Sequence, residues 1–246
     1  MKSHLELLTE ISATIERYVG DLNESGFIPG VDPLRIAEPS FDHEEILAVV
    51  DSLLDKWLGA NWRAQRLEEA LGNHIGVSGA KLTTSGSCAN LLAVSTLVEY
   101  AGLAPGDEII TTALSFPTTI NALLHKGLAP VLLDSIPGSY VIDVETLEES
   151  LGPRVKGILV THTLGNPANM KLVVDFANKH GLFLIEDACD ALGATYGGKK
   201  VGSLGDLGTF SFYPAHHITT GEGGAITFRN GAMESILTSG QLHHKH

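Results

Sequence analysis

Apolar residues recur with helical spacing in the first part of the chain. A helix over residues 1–20 is predicted by four such positions: Leu5, Leu8, Ile11 and Ile15. Residues 23–40 are rich in turn formers and predict a loop. Asp42 then precedes a helical pattern over 44–58, and a further helix is predicted over 62–71.

From residue 80 the pattern changes to short β-rich runs separated by helical or loop segments. Seven runs are predicted as strands: 80–84, 108–114, 130–134, 157–161, 182–186, 207–213 and 224–228. This alternation favours an α/β fold, a mostly parallel seven-stranded sheet flanked by helices. The last two runs have only short connections, so we expect part of the sheet to be antiparallel or irregularly wound.

Composition limits the number of domains and the classes of partner. The chain has 246 residues, 43% hydrophobic and 18% charged, which is typical of a globular protein with one large domain or slightly more. The net charge of -13 argues against a general nucleic-acid or anionic-membrane surface. The sequence shows no signal-peptide pattern and no apolar run of about 18 residues, so we expect a cytoplasmic protein.

Two strand ends carry candidate chemistry. At the first, Gly86 allows a sharp turn and Ser87 is predicted to cap a helix, whose first N–H groups would bind an anion. An ordinary strand-to-helix turn is the alternative. At the second, Glu186 and Asp187 end a buried-type strand, where ligands of open α/β sheets bind. The alternative there is a solvated strand end or a helix cap.

A third candidate is the loop over residues 211–224. His216 and His217 lie there among hydroxyls, glycines and an acidic residue, Glu222. A single histidine is more often structural than catalytic, but these neighbours make a site plausible.

Together the three segments resemble the large domain of fold-type I pyridoxal-phosphate enzymes of the DegT-type sugar aminotransferase family. The resemblance covers about residues 41–228 and includes residues 112–119, which contain an aromatic residue. It implies cofactor contacts for seven residues: Gly86, Ser87 and Cys88 at the phosphate, Phe116 on the pyridine face, Asp187 at the pyridine nitrogen, Ser211 at the phosphate, and Asp190.

One position departs from the common family pattern. The fifth residue after the serine of the loop is usually the lysine that binds the cofactor covalently, and here it is His216. An imidazole cannot form that bond but can act as a general base near neutral pH. Lys199 and Lys200 lie in a Gly-Gly-Lys-Lys turn and are interpreted as surface residues.

The histidine resembles that of a small branch, the 3-dehydrases of nucleotide-linked 4-keto-6-deoxyhexoses. The branch uses noncovalent pyridoxamine 5'-phosphate (PMP), the amine form of pyridoxal phosphate (PLP). The resemblance implies C3 dehydration with His216 as the base, in the synthesis of deoxysugars for lipopolysaccharide O-antigen. Residues 27–30 and Cys189 favour the CDP-hexose members, and GDP-sugar relatives stay open.

The CDP-sugar members imply further groups and partners. Cys189 falls at the place of a [2Fe-2S] ligand, and the other ligands are absent from this chain. A small buried cysteine is the alternative. A homodimer is implied for the full-length protein, together with a flavin/iron-sulfur reductase partner.

The sequence predicts three segments. Residues 1–40 form an N-terminal helical extension and loop, 41–230 the PLP/PMP-binding large domain, and 231–246 a truncated or aberrant tail, with the small C-terminal domain missing. The sequence also bears on three other functions. A nicotinamide dehydrogenase needs a GxGxxG turn, and Gly86 stands alone in its turn. A lysine-bearing aminotransferase is opposed by His216, and an inactive fragment stays possible.

Overall fold

The computed structural model describes residues 3–23, 27–34, 37, 39–56 and 59–243. Parts of the predictions for 1–20, 23–40, 44–58 and 231–246 therefore lie outside the described residues. The chain divides into two compact units, one up to Gln65 and one from Arg66 onward.

The first unit contains two helices that pack against each other, α1 (His4–Asn23) and α2 (His43–Leu54). Asp42 caps α2: its Oδ1 accepts a hydrogen bond from the Glu44 amide at 2.8 Å, and its own amide donates to Glu45. The helix was predicted to continue to residue 58. It ends at Leu54, and Lys56 adopts a left-handed backbone with φ of 56°, which is incompatible with a continuing helix.

A third helix, α3 (Trp62–Ile75), leads into the second unit. The other helices are α4 (Gly86–Ala101), α5 (Pro117–His125), α6 (Met170–His180) and α7 (Glu234–His243). The strands are β1 (Gly79–Thr83), β2 (Glu108–Thr112), β3 (Ala129–Leu133), β4 (Val155–Thr161), β5 (Phe183–Asp187), β6 (Thr195–Tyr196), β7 (Lys199–Lys200), β8 (Leu207–Ser211) and β9 (Gly224–Phe228).

Seven strands form one sheet in the order β1-β9-β8-β5-β4-β2-β3, and β6 pairs with β7 in a separate hairpin. Strand β9 runs antiparallel to both of its neighbours, and the other pairs are parallel. This confirms the predicted mostly parallel sheet with an antiparallel part. Because β9 reverses the direction between β1 and β8, those two strands end at the same edge as β2, β4 and β5.

The core lies on both faces of the sheet, because neighbouring residues of a strand point to opposite sides. Ile109, Leu159 and Ile185 pack in one cluster with α4, α5 and α7. Ile110, Ile158 and Leu184 pack in another cluster with α6. Helices therefore cover both faces, as the alternating pattern predicted.

Two strands end two residues before their predicted carboxyl ends. Strand β2 ends at Thr112 and β8 at Ser211, where the runs had been extended to 114 and 213. After β8 the Phe212 amide still bonds the Gly223 carbonyl, and the chain then turns, with the His216 amide donating to the Tyr213 carbonyl. Apolar residues beyond the strand ends thus belong to loops at one edge of the sheet.

The expectation that residues 231–246 form a truncated or aberrant tail is wrong for the described part of this segment. Gly231–Met233 form a 3₁₀ turn and α7 follows it. Met233 and Leu237 are 1% and 0% exposed and pack in the cluster with α4. The segment contributes to the hydrophobic core, so it is part of the fold up to His243. Of the helices in the described ranges, none is both long and apolar enough to cross a membrane.

Candidate active site

A cavity of about 640 Å³ lies at the sheet edge where β1, β2, β4, β5 and β8 end. The structure brings eight of the nine predicted site residues to its lining: Gly86, Ser87, Phe116, Asp187, Cys189, Asp190, Ser211 and His216. Cys88 is not among the lining residues. Carboxyl ends of neighbouring parallel strands meet at one edge, which explains why segments far apart in sequence converge here.

The turn after β1 differs in detail from the prediction. Ser85, not Ser87, caps α4: its Oγ accepts a hydrogen bond from the Cys88 amide at 3.1 Å. Cys88 was expected to offer that amide to a phosphate, but the cap already uses it. Gly86 and Ser87 belong to the first helical turn, whose N–H groups have no intrahelical acceptor. Their amides therefore stay able to donate to an anion, as helix N-termini can.

The same turn is packed closely against the end of the sheet. A Cβ added at Gly86 would lie 2.6 Å from Cβ of Ser211, and one at Gly224 would lie 2.4 Å from the Ser85 carbonyl oxygen. Both distances are shorter than side-chain atoms tolerate, so glycine is required at both positions. This packing holds the α4 N-terminus beside the Ser211 hydroxyl.

Asp187 ends β5 inside a network of hydrogen bonds. Its Oδ2 accepts from Asn90 Nδ2 at 2.9 Å and from Thr119 Oγ1 at 2.7 Å, and its Oδ1 accepts from the Cys189 amide at 3.2 Å. Asn90 is in turn fixed because its Oδ1 accepts from Thr209 Oγ1 at 2.6 Å. Asp187 is only 4% exposed, and these donors stabilise its carboxylate.

Glu186 has a structural role instead. It is fully buried and accepts from the amides of Gly202, Leu204 and Gly205 at 2.7–2.9 Å. His162 is also fully buried and lies 3.0 Å from Glu186 through Nε2, while its Nδ1 accepts from the Ala168 amide. Since Nδ1 accepts, Nε2 carries the hydrogen and donates it to Glu186. The pair ties β4 and β5 to the turn before β8.

His216 lies on the turn after β8 and reaches the cavity. Its Nδ1 is 3.3 Å from Oδ1 of Asp190, and its ring makes a T-shaped contact with the ring of Tyr213, with centroids 6.3 Å apart. His217, its neighbour, is exposed and does not line the cavity. Of the two neighbouring histidines, the structure thus brings His216 to the cavity, the one that the resemblance singled out.

The two lysines near the loop lie elsewhere. Lys199 and Lys200 form strand β7 and not the turn itself, with Lys199 exposed and Lys200 half-buried, and Lys200 Nζ is 2.6 Å from Nε2 of His74. Within the described part of the chain, no lysine lines the cavity. The interpretation that the usual lysine is absent is consistent with this arrangement.

Phe116 and Cys189 complete the predicted set. Phe116 precedes α5 and is 70% exposed at the cavity, so one ring face is available to a ligand.

Burial, reinforced by the nearby Asp187 carboxylate, raises the pKa of the Cys189 thiol well above its usual range. A thiol of this kind is a poor nucleophile near neutral pH.

The described residues do not provide a ligand set around Cys189. The three-residue grouping close enough to share an ion consists of His4, Asp51 and Asp55 in the first unit, and Arg63 pairs with both of those carboxylates. A [2Fe-2S] cluster needs several thiolates or histidines. The described residues therefore do not fit this group.

The sequence model of the DegT/DnrJ/EryC1/StrS aminotransferase family matches residues 39–245. The chain belongs to this family. The match passes Asn230, where we expected the family pattern to end, which agrees with the packing of α7 on the core.

Curated members of the family give closer comparisons. The lipopolysaccharide biosynthesis protein RfbH of Salmonella typhimurium is 42% identical over 95% of this chain and 54% of its own length. The dTDP-4-dehydro-2,6-dideoxy-D-glucose 3-dehydratase of Saccharopolyspora spinosa is 41% identical over 93% of this chain and 50% of its own length. The chain thus spans about half the length of the curated relatives it matches.

A solved structure of the family has the same fold. The Escherichia coli GDP-4-keto-6-deoxy-D-mannose-3-dehydratase, solved with bound hydrated PLP, is similar with a TM-score of 0.80 and 33% identity, over 84% of this chain and 54% of that one. The α/β fold with its mostly parallel seven-stranded sheet is therefore the fold-type I architecture of PLP enzymes, as the resemblance implied.

Sequence reasoning missed the residues that hold the site together. Asn90, Thr119, Thr209 and His162 make buried hydrogen bonds to Asp187, Asn90 or Glu186 across 24 to 119 positions of sequence. One signal was present: Asn90 directly precedes the apolar run of α4, and a polar residue in a buried helix needs a partner.

Proposed function

We propose that this chain is the cofactor-binding part of a PMP-dependent 3-dehydratase acting on a nucleotide-linked 4-keto-6-deoxyhexose. One observation carries the proposal: a histidine, His216, reaches the cavity at the end of β8, and no lysine of the described residues lines it. Without an amine to bind the cofactor covalently, the site suits a noncovalent cofactor and a residue that transfers protons.

The relatives support the substrate class. Two of the proteins compared are named as 3-dehydratases of 4-keto or 4-dehydro deoxysugar nucleotides, and a third is named for lipopolysaccharide biosynthesis. Their names involve dTDP and GDP sugars, and the prediction of a CDP-hexose rests on the sequence resemblance. The site residues, and residues 41–230 as their domain, are likewise proposed on that resemblance and on the cavity.

The polar groups that line the cavity suit the cofactor. Three buried hydroxyls lining it, of Ser115, Thr161 and Thr163, have no hydrogen-bond partner in the described part of the chain. Buried polar groups are nearly always satisfied, so these hydroxyls favour a polar ligand in the cavity. The first-turn amides of α4 add donors for a phosphate.

Each residue then has a separate task. When bound, PMP would supply an amine for the sugar ketone and a ring that accepts electrons. The amides of Gly86 and Ser87, with the Ser211 hydroxyl, bind the phosphate. Asp187 keeps a proton on the ring nitrogen, since three hydrogen bonds hold its carboxylate at the end of β5. Phe116 covers one ring face.

His216 is the proposed general base. Its side chain is 20% exposed, so it is reachable from the cavity while remaining partly shielded from water. The imidazole takes up a proton at a ring nitrogen and can return it to the hydroxyl that leaves C3. Both transfers suit an imidazole, which can accept a proton at one ring nitrogen and give it back.

The test compares His216→Asn with His217→Asn, a matched change at the exposed neighbouring histidine. With PMP and CDP-4-keto-6-deoxyglucose, loss of the base should lower turnover by about 10²- to 10⁴-fold. Cofactor absorbance should persist after gel filtration of the His216→Asn protein, and His217→Asn should act like the wild type. Unchanged turnover in His216→Asn would refute the base assignment.

Borohydride reduction separates dehydration from transamination by the usual route. The wild-type chain reduced with PLP should release the cofactor on denaturation, whereas His216→Lys should trap it covalently. Covalent trapping in the wild type would overturn the proposal. A chain that retains no PMP after gel filtration would instead favour an inactive fragment. The homodimer, the reductase partner and the [2Fe-2S] cluster remain predictions.

A further inference from the structure

Asp190 and His216 come from different loops and meet at the cavity. Asp190 follows β5 by three residues, and His216 lies on the turn after β8. Their closest atoms, Oδ1 of the carboxylate and Nδ1 of the imidazole, are 3.3 Å apart. Side-chain exposure is 43% for Asp190 and 20% for His216, so neither group is sealed from the cavity.

The surroundings single out Asp190 as the carboxylate that faces this imidazole. The other titratable residues lining the cavity are Asp187, Cys189, Tyr213 and Glu222. Asp187 is occupied by Asn90, Thr119 and the Cys189 amide. The rings of Tyr213 and His216 make a T-shaped contact at an interplanar angle of 71°. Among the described carboxylates, Asp190 and not Glu222 lies within ion-pair distance of the imidazole.

We propose that Asp190 is a positioning residue that keeps the imidazole hydrogen of His216 on Nδ1, so that Nε2 presents its lone pair to the reacting proton. This inference rests on the proposed function and deepens it. A neutral imidazole carries its hydrogen on either nitrogen, and a carboxylate only accepts hydrogen bonds. A carboxylate beside Nδ1 therefore favours the Nδ1–H form.

The same contact acts after the proton has moved. Once Nε2 has taken a proton, the imidazolium carries a positive charge next to the Asp190 carboxylate, which stabilises it. In catalytic triads a carboxylate acts on its histidine in both of these ways, and its replacement by an amide costs about 10⁴-fold in turnover. Contacts of this kind also shorten when substrate is bound.

This assigns Asp190 a task different from the cofactor contact expected from the sequence. The phosphate and the ring oxygen of the cofactor accept hydrogen bonds and carry negative charge. A carboxylate can donate nothing to them and repels them. The positively charged or N–H-bearing partner that a carboxylate needs is present in His216.

The first test reads the tautomer without requiring catalysis. In the ¹⁵N-labelled chain, long-range ¹H–¹⁵N spectra at a pH where the ring is neutral report which nitrogen bears the hydrogen, and His216→Asn assigns the signals. The wild type should show Nδ1–H. Asp190→Asn should lose that preference, while Asp175→Asn, a matched change on the exposed face of α6, should keep it. A wild-type ring in the Nε2–H form would overturn the proposal.

The second test separates positioning from folding or binding. With PMP and CDP-4-keto-6-deoxyglucose, Asp190→Asn should lower kcat by about 10²- to 10⁴-fold and leave KM within about threefold. Asp190→Glu, which restores a carboxylate, should recover part of kcat. A parallel loss in KM, or no recovery with Glu, would contradict a positioning role.

The two tests fail independently of the proposed function. If the wild-type chain dehydrates no 4-keto sugar nucleotide, the proposed function fails, and the spectra still decide whether Asp190 sets the tautomer. If dehydration occurs and Asp190→Asn leaves both tautomer and kcat unchanged, the proposed function stands and the role of Asp190 is refuted.

Discussion

Asp187 and His216 line the same cavity but are held in different ways. Asp187 is buried at the end of a strand and accepts three hydrogen bonds from a side-chain and backbone network. His216 lies on a turn, is partly exposed, and has a carboxylate at 3.3 Å and the ring of Tyr213 as its neighbours. The position of Asp187 is fixed by buried hydrogen bonds, whereas the position of His216 depends on its loop.

The difference separates two requirements of catalysis. A charge that stabilises a bound ring is most effective when its position costs nothing to organise, and a buried network achieves this. A proton-transfer group must instead meet atoms that change position during the reaction, so partial exposure on a loop suits it. Stability should therefore depend on the Asp187 network far more than on His216.

Asn90→Ala should give the largest change in stability. It removes a donor to Asp187 and the acceptor of Thr209, and it leaves a buried carboxylate short of a partner. We expect a loss of about 2–3 kcal/mol in the free energy of unfolding, measured by urea denaturation. His216→Ala, the comparison variant, should cost about 0.5 kcal/mol or less. Equal losses of unfolding free energy in the two variants would contradict the difference between Asp187 and His216.

Thr119→Val should have a smaller effect, because it keeps the shape of the side chain. It removes one of the two donors to Oδ2 of Asp187, and Asn90 remains in place. We expect a loss of about 1–2 kcal/mol in the same denaturation experiment. Thr118→Val changes the preceding residue, which is not part of the network, and controls for the valine. Similar losses in both variants would show that the hydrogen bond is unimportant.

The smallest and most local effect is expected in the reactivity of the Cys189 thiol, which lies between Asp187 and Asp190 in sequence. Burial and the Asp187 charge raise its pKa, so little thiolate is present at pH 8 and alkylation should be slow. The rate should rise as the pH increases above 9. Asp187→Asn removes the charge and should accelerate alkylation, as followed by mass spectrometry. Alkylation at pH 8 as fast as that of an unfolded control would contradict a raised pKa of the Cys189 thiol.

Periodicity was enough to predict the sheet and its helical cover. Strands β4 and β5 read as buried runs because both faces of the sheet are covered, and their limits differ from the prediction by one or two residues. Helix α7 was missed because it is short and contains serine, threonine and glycine. Its place in the fold depends on Met233 and Leu237 meeting α4, which local sequence does not reveal.

The site was predictable where a motif is local. The carboxylate of Asp187, the turn at Gly86 and the histidine at 216 each follow a recognisable strand end, and the structure brings them to one cavity. The cap was misplaced by two residues because Ser85 and Ser87 both suit that role by composition. The partners of Asp187 lie 68 and 97 positions away, so only tertiary packing identifies them.

Strand β9 lies between β1 and β8, with Gly79 opposite Phe228 on one side and Leu207 opposite Phe228 on the other. The β1 edge of the sheet therefore joins the rest only after almost 150 further residues have left the ribosome. Contacts of such long sequence separation form slowly, and strand β1 lacks its sheet partner until β9 has been made. We expect the nascent chain to need protection from aggregation during this interval, and the turn at Gly86 to be the last part of the cavity to form.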